Sequence, residues 1–204
     1  MGRLATNRET EVKLRIRNLT ATVKALRCFG AKCLGRVFES NTLYDTVGGD
    51  LGRSGRLLRL RIETPAKSKL LPAGQRRAVV TSKASVPDPD HRYKEKFERE
   101  LVVSNPNGWA AILGSIGFRR GFHYEKYRTT FRLASLHLDL DETPVGTFLE
   151  LEGSPHDIDR TASALGFSPR DFLRSTYWDL FQADRRRRGH TMTDMRFRTK
   201  KNAS

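Results

Sequence analysis

Residues 8–17 read RETEVKLRIR, and this strict alternation of charged and apolar residues is typical of a β-strand. Successive side chains of a strand point to opposite faces, so one face would carry charge and the other apolar side chains. The charged face holds Glu9, Glu11, Lys13, Arg15 and Arg17, and the apolar face holds Val12, Leu14 and Ile16. The segment therefore predicts a strand that separates a hydrophobic layer from a surface rich in charges of both signs.

The same period-two pattern recurs in seven further segments of the chain. They are 36–46, 56–63, 77–83, 94–103, 122–132, 135–142 and 146–153. Helical start and stop signals, such as Ser-Pro at the beginning and Gly at the end, indicate helices between or after these strands. The predicted helices are 20–29, 107–116, 155–165 and 168–182. No internal repeat or linker divides the pattern, so we expect one α+β domain.

The polar faces of six of these strands consist almost entirely of charged residues, acids and bases together. One strand alone fits an antiparallel sheet with a wet face, but such faces usually also contain Thr, Ser, Asn and Gln. A barrel with the charged faces inward would instead enclose a water-filled, charged lumen, with helices on its apolar outer surface. Carboxylates in that lumen suit Mg²⁺ or Mn²⁺, and Lys and Arg suit phosphate oxygens. This combination is typical of a phosphoryl-transfer site.

The overall charge supports an anionic partner. The 204 residues include 38 Lys and Arg against 23 Asp and Glu, a formal net charge of +15. Nucleic acid is the first class to consider for such a charge. The strands, however, place carboxylates beside their basic residues, which a nucleic-acid-binding groove would not need. We therefore expect a compact polyphosphate, and not nucleic acid, as the partner.

The location of the protein is also constrained by composition. No run of about 18 apolar residues is present, so we expect no membrane-spanning helix and no membrane partner. The segment MGRLATNRETEVK lacks the apolar core of a secretion signal, and only two cysteines occur in the chain. These features predict a cytoplasmic protein.

The last twenty residues, 185–204, carry a local charge of +7 and begin with four consecutive arginines. Few apolar residues occur there, which predicts a flexible basic tail attached to a domain of residues 1–184. Two alternatives are an electrostatic clamp on polyphosphate or RNA and a cover over one end of a site.

Six motifs, in order along residues 7–182, resemble those of the CYTH domain, the fold of triphosphate tunnel metalloenzymes. They are ETEVK at 9–13, NTLYDT at 41–46, GRLLRLR at 55–61, TSK at 81–83, YEKYR at 124–128 and LDETPVGTFLELE at 140–152. The last is similar to class IV adenylate cyclase-like members, and LGF at 165–167 with STY at 175–177 resembles the closing helices. The chain departs from the family pattern at Ala84, Asp139 and Thr176, none of which is a proposed metal ligand. The resemblance implies a closed eight-stranded antiparallel β-barrel, a tunnel with helices packed on the outside.

The resemblance also implies roles for individual residues. The metal-binding carboxylates would be Glu9, Glu11, Asp141, Glu150 and Glu152. The triphosphate-binding side chains would be Lys13, Arg59, Arg61, Lys83, Lys126 and Arg128. Supporting residues would be Lys96, Glu98 and Glu100, and those most directly catalytic would be Glu11, Lys13 and Glu152. One Mg²⁺ or Mn²⁺ ion would bridge the phosphates and a second would activate the nucleophile for in-line attack.

The reaction itself is left open between three alternatives. The resemblance covers hydrolysis of tripolyphosphate or thiamine triphosphate, and cyclisation of ATP to cAMP and pyrophosphate, which differ in the attacking nucleophile. No set of residues selects adenine, so hydrolysis is the first hypothesis and the class IV adenylate cyclase reaction the second. The third is a non-catalytic module that binds polyphosphate or RNA, which would not need carboxylates at all five metal positions.

Overall fold

The computed structural model describes residues 7–68, 75–86 and 92–198, and eight antiparallel strands dominate these ranges. The strands are β1 (Asn7–Ile16), β2 (Lys32–Thr46), β3 (Arg56–Ser68), β4 (Arg77–Val86), β5 (Lys94–Val103), β6 (Phe118–Leu133), β7 (Leu136–Thr143) and β8 (Gly146–Glu152). Their order is β1-β5-β4-β3-β2-β6-β7-β8, and β8 pairs again with β1 to close a barrel. The predicted fold class, a closed eight-stranded antiparallel barrel with helices, is therefore confirmed.

The helices lie outside this barrel and are named in chain order. They are α1 (Leu19–Cys28), α2 (Asp50–Arg53), α3 (Pro106–Ser115), α4 (Pro155–Ala164) and α5 (Tyr177–Arg188). The first begins at Asn18, whose side chain accepts a hydrogen bond from the Ala21 amide at 2.9 Å. Ser154 caps α4 in the same way, accepting from the Asp157 amide at 3.2 Å. The sequence did not predict the single turn of α2.

The main hydrophobic core lies between the barrel wall and helices α1 and α4. The outward faces of β1, β7 and β8 supply its strand residues, among them Leu14, Leu138 and Leu149. Leu26 of α1 and Ile158 of α4 pack against them, and all five side chains are buried. Because the apolar positions of these strands face outward, their charged positions must face into the barrel.

The predicted helix 168–182 was wrong in its extent. Only a short 3₁₀ turn, Pro169–Asp171, forms at its start, and α5 begins at Tyr177. Between them the backbone is held against β1, because the amide of Leu173 donates to the carbonyl oxygen of Lys13 at 2.8 Å. This pairing with a distant strand replaces the helical bonds that the local sequence would allow. The segment therefore crosses one end of the barrel.

The segment after α5 returns to the barrel. The boundary predicted at residue 184 falls inside α5, which continues through Arg188 and ends at Gly189, where φ is +67°. The Met195 amide donates to the His123 carbonyl at 3.0 Å, and the Glu125 amide donates to the Met195 carbonyl at 2.9 Å. Met195 thus adds a parallel bridge to β6, with its side chain buried. Residues 199–204 of the predicted tail lie outside the described residues.

Candidate active site

The barrel interior is a single cavity of about 1370 Å³ whose wall is formed mainly by charged side chains. The inward positions of all eight strands contribute to it, because the alternation places charge on that face throughout. All of the predicted site residues except Asp141 line this cavity. Asp141 is fully buried behind the wall.

Asp141 holds two of the predicted phosphate-binding cations in place. Lys126 Nζ donates to Asp141 Oδ2 at 2.8 Å, and Arg128 makes a two-pronged contact through Nε at 2.7 Å and Nη2 at 2.6 Å. The hydroxyl of Tyr177, at the start of α5, donates to the same Oδ2 at 2.6 Å. Burial raises the pKa of Asp141, although Arg128 and Lys126 oppose the shift. The carboxyl group thus has its acceptor positions taken by neighbouring donors.

Arg128 is the centre of a larger cluster of charges. Besides Asp141, its guanidinium contacts Glu150 at 2.5 Å and Asp139 at 2.6 Å. Burial alone would lower the pKa of Arg128, but Asp139 and Asp141 raise it well above its usual value. Glu150 also contacts Lys13, whose Nζ lies 3.3 Å from Glu150 Oε1. Two of the predicted metal carboxylates, Asp141 and Glu150, are therefore engaged by cations.

The two arginines of β3 form a second cluster of basic side chains in the barrel. Arg59 donates to Thr81 at 3.1 Å and lies 3.6 Å from Glu100, while Arg61 donates to Glu100 at 3.0 Å. Both arginines are buried to more than nine-tenths. The Nε of Arg59 has no hydrogen-bond partner among the described residues. Guanidinium groups fixed in this way can present paired donors to phosphate oxygens.

The carboxylates at the β1–β8 junction have fewer cationic partners. Glu11 lies directly across the strands from Glu152, and Glu9 stands two residues along β1 on the same face. Burial, a hydrogen bond with Glu98 and the nearby charge of Glu152 together raise the pKa of Glu9 to about 8, against the opposing charge of Lys83. Burial also raises the pKa of Glu152. Three carboxyl groups are thus close together at this junction, and two of them have raised pKa values.

The carboxyl groups at the β1–β8 junction are the candidate ligands for a divalent cation. Carboxyl groups whose pKa is raised mainly by burial, as for Glu9 and Glu152, suit Mg²⁺ or Mn²⁺, whose charge would favour the ionised form. In the described part of the chain, no three His, Cys, Asp or Glu side chains are already gathered in a metal-binding arrangement. The carboxyl oxygens on the adjacent strands β1 and β8 are therefore suitable ligands for such a metal. They belong to Glu9, Glu11 and Glu152, whose side chains would have to move together to bind one ion.

The three supporting residues are each paired inside the cavity. Lys96 donates to Glu11 at 2.9 Å, and Glu100 accepts from Thr81 at 2.9 Å. Glu98 contacts Lys83, which also lies 3.3 Å from Glu9. Burial opposes it, but Glu9 and Lys83 lower the pKa of Glu98 to about 2. These pairs join the basic and acidic parts of the wall.

The sequence reasoning did not single out Glu39, which is one of the most buried charged residues of the barrel. Its exposure is 1%, and it lies 3.4 Å from Lys126, 3.7 Å from Arg128 and 3.9 Å from Arg61. The alternation of side chains along β2 could have identified it, because Glu39 lies on the same inward face as Asn41 and Leu43. Glu39 lies outside the six motifs that resemble the CYTH domain.

Lys94 is another charged residue of the cavity wall that the six motifs do not include. Its Nζ donates to the Ser175 carbonyl at 3.1 Å, and Lys13 Nζ donates to the same oxygen at 3.3 Å. Burial and the charges of Lys13 and Lys96 lower the pKa of Lys94 to about 7. The segment between the 3₁₀ turn and α5 therefore supplies a backbone acceptor for two lysines that line the cavity.

A closed antiparallel barrel with a charged interior of this kind defines the class of tunnel-shaped domains. Residues 7–166 match the CYTH domain, and the chain belongs to that family. A protein of Methanocaldococcus jannaschii named "Putative adenylate cyclase" is 24% identical over 183 residues, which cover 84% of this chain and 97% of the relative.

Solved structures share the fold. A "putative adenylate cyclase" from Vibrio parahaemolyticus has a TM-score of 0.71 at 18% identity, over 87% of this chain and 99% of that one. The PH1012 protein of Pyrococcus horikoshii has a TM-score of 0.66 at 23% identity, over 84% and 98%. A Hippeastrum protein, described as a "putative adenylyl cyclase" with a dominant triphosphatase activity, has a TM-score of 0.58 at 16% identity, over 86% and 96%.

A membrane-spanning helix is also absent from the described ranges, where every helix is too short or too polar to cross a bilayer.

Proposed function

We propose that the protein is a divalent-metal-dependent enzyme that hydrolyses a triphosphate bound inside the barrel. One observation carries the proposal: the cavity places a basic wall from β3, β4 and β6 against the carboxylate-rich junction of β1 and β8. Lys83, which lies 3.3 Å from Glu9, marks where the two meet. A polyanion and a divalent cation together complement this arrangement, and neither does so alone.

The basic residues would bind the triphosphate. Arg59, Arg61 and Arg128 can each offer two parallel N–H donors to a phosphate group, and the three lysines add compact charges. The lysines concerned are Lys13, Lys83 and Lys126. Each of these cations now contacts a carboxylate, so a bound triphosphate would take over contacts that the protein makes internally.

The metal would be held by Glu9, Glu11 and Glu152, the carboxylates that fit it best. Glu150 would join them if a phosphate displaced Arg128 from it, and Asp141 would keep Lys126 and Arg128 in position from behind. When bound, a divalent cation would neutralise phosphate charge and lower the pKa of a coordinated water molecule. Glu11, Lys13 and Glu152 meet where β1 pairs with β8, so they are the residues that we assign most directly to catalysis.

Cyclisation of ATP is the second candidate function. The name of the Methanocaldococcus relative supports it, whereas the dominant triphosphatase activity described for the Hippeastrum protein supports hydrolysis. Both reactions need the same grip on the three phosphates, and they differ in whether water or a ribose hydroxyl attacks.

The test is to incubate the purified protein with tripolyphosphate, ATP or thiamine triphosphate, with Mg²⁺, Mn²⁺ or EDTA, and to measure phosphate, pyrophosphate and cAMP. Metal-dependent phosphate release supports the proposal, and equimolar cAMP and pyrophosphate would replace it with the cyclase reaction. Tight tripolyphosphate binding without turnover would identify a binding module. Lys13→Ala and Glu152→Ala should abolish most turnover, and Arg160→Ala, an exposed change on α4, is the matched control.

A further inference from the structure

The ammonium group of Lys13 contacts three neighbours of different chemistry. Its Nζ lies 3.3 Å from Glu150 Oε1 and donates to the Ser175 carbonyl at 3.3 Å. It also stands over the ring of Tyr177, 3.9 Å from the ring centroid. A phosphate group would compete with Glu150 for the lysine, because both are anions. The carbonyl and the ring are therefore the contacts that can persist when a triphosphate binds.

The ring of Tyr177 also lies near a second lysine of the proposed phosphate site. Lys126 Nζ is 5.1 Å from the same ring centroid, within the distance of about 6 Å at which a ring face attracts a cation. The Tyr177 hydroxyl donates to Asp141 Oδ2, which also accepts from Lys126 Nζ at 2.8 Å. One tyrosine thus contacts two of the phosphate-binding lysines with its ring, and the carboxylate behind them with its hydroxyl.

An aromatic ring holds a lysine differently from a carboxylate. The ring has no net charge, so it attracts the ammonium group through its quadrupole and leaves the positive charge available to a phosphate oxygen. This attraction is strongest where water is excluded, and Tyr177, Lys13 and Lys126 are only 8%, 5% and 1% exposed. The ring contacts can therefore hold the two lysines in the cavity both with and without a bound anion.

The position of Tyr177 is fixed by ring contacts and by the start of α5. Its ring stacks on Tyr124 with centroids 5.6 Å apart and meets Phe148 edge-on at 5.9 Å. Thr176 caps the helix, because its hydroxyl accepts from the Asp179 amide at 3.2 Å and its amide donates to Asp179 Oδ2 at 2.8 Å. A ring anchored in this way can determine where a flexible lysine side chain lies.

Tyr177 belongs to α5, which begins after residues 7–166, the part of the chain that matches the CYTH domain. We propose that Tyr177 is a positioning residue of the phosphate site: its ring holds Lys13 and Lys126 in place without neutralising them, and its hydroxyl orients Asp141. This inference rests on the proposed function, because it takes the two lysines to be phosphate ligands. It makes α5 part of the site and not only a cover on the barrel.

Calorimetric titration with tripolyphosphate in EDTA tests the inference, because metal-dependent turnover is then absent. Tyr177→Leu removes the ring and the hydroxyl, and it should raise the Kd about 10-fold, as expected for the loss of cation–π contacts shielded from water. Tyr177→Phe keeps the ring and removes one hydrogen bond, so its Kd should stay within about threefold of the wild-type value.

Leu180→Ala is the matched control for a purely structural effect. This side chain of α5 is 9% exposed and packs in the same apolar cluster as Tyr177, but it does not line the cavity. Its truncation should lower the Tm and leave the Kd of the folded protein within about twofold of the wild-type value.

A double-mutant cycle tests whether the ring acts through Lys13. In a Lys13→Ala background the ring has one lysine less to hold, so Tyr177→Leu should raise the Kd by less than about threefold. If Tyr177 only anchored the helix, the same substitution would raise the Kd by the same factor in both backgrounds.

Four results would overturn the inference. They are an unchanged Kd in Tyr177→Leu, an equal rise in Tyr177→Phe, an equal rise in Leu180→Ala, and equal factors in the two backgrounds of the cycle. If Tyr177→Leu does not fold, as judged by circular dichroism, Tyr177→Met replaces it. If the affinity in EDTA is too low to measure, Ca²⁺ replaces EDTA.

Failure of the proposed function would be recognised separately. A wild type that binds tripolyphosphate but hydrolyses no triphosphate would reject the hydrolase, and the Kd values would still decide the role of Tyr177. A wild type that binds no tripolyphosphate under either condition would refute both.

Discussion

Glu39→Gln should destabilise the ligand-free barrel strongly. The carboxylate lies 3.4 Å from Lys126 Nζ, and at an effective dielectric constant of about 20 such a pair attracts by about 5 kcal/mol. Burial of the carboxylate offsets part of this energy, and removal of one partner from a buried pair typically costs about 3–5 kcal/mol. Glutamine keeps the shape, so we expect the lower value of about 3 kcal/mol, a fall in Tm of about 6–12 °C for a chain of this size.

Differential scanning fluorimetry at neutral pH in EDTA measures this change directly. Glu95→Gln is the matched control, since Glu95 pairs at 2.5 Å with an Arg8 that is 60% exposed. A pair of that kind contributes about 0–1 kcal/mol. Burial alone would raise the pKa of Glu39, but Lys126, Arg128 and Arg61 hold it well below its usual range. Its stabilising effect is therefore complete above the unfolded pKa and is lost as the pH falls through the folded value.

The same variant should bind tripolyphosphate more tightly. Loss of the internal anion leaves Lys126 and Arg128 with excess positive charge, which a phosphate group can neutralise. Saturating tripolyphosphate should therefore raise the Tm of Glu39→Gln by more than it raises that of the wild type. A Tm loss no larger than that of Glu95→Gln, or a smaller ligand-induced gain than in the wild type, would refute the reasoning.

Three further changes have defined outcomes. Glu9→Gln should raise the Mg²⁺ or Mn²⁺ concentration for half-maximal activity about tenfold or more, because it removes a charged oxygen ligand, and a metal titration measures this. Tyr177→Phe removes the 2.6 Å hydrogen bond to Asp141 and should lower the free energy of unfolding by about 1–3 kcal/mol, as measured by urea denaturation. An unchanged free energy would show that Asp141 does not depend on this donor. Met195→Ala should cost about 2–5 kcal/mol, since the side chain is 1% exposed. An unchanged urea midpoint for Met195→Ala would show that burial of the Met195 side chain does not stabilise the barrel.

Strand positions and faces could be predicted from the sequence because the alternation in segments such as 8–17 is a local property of the chain. The pairing of Glu11 with Glu152 and of Lys13 with Glu150 could not, because it depends on the register between strands far apart in sequence. Likewise, the error at 168–182 came from a nonlocal bond between Leu173 and Lys13.

The different surroundings of the individual acidic residues could not be predicted from the sequence either. Asp141 and Glu152 both alternate with leucines in their strands, and nothing local distinguishes the carboxylate that holds Arg128 from the one at the β1–β8 junction. The distinction arises from which side chains converge across the barrel. Tyr177 and Lys126 contact Asp141, whereas the charges near Glu152 are those of His137, Lys83, Asp139 and Glu11. Motif resemblance assigned one role to both because it carries position and no partner information.

The pairing of acids with bases inside the barrel predicts that metal and triphosphate bind cooperatively. Without ligand, each of the six proposed phosphate-binding cations contacts a carboxylate, as Lys83 contacts Glu9, which lets a highly charged interior fold. A triphosphate that takes Lys83 leaves Glu98 and Glu9 without that counter-charge, and a divalent cation supplies one. By thermodynamic reciprocity each ligand must strengthen the binding of the other by the same factor, typically about 5–150-fold. Calorimetric titration of the protein with tripolyphosphate, once in the presence of Ca²⁺ and once in EDTA, measures this factor. Equal affinities under the two conditions would show that the acidic junction does not bind the metal.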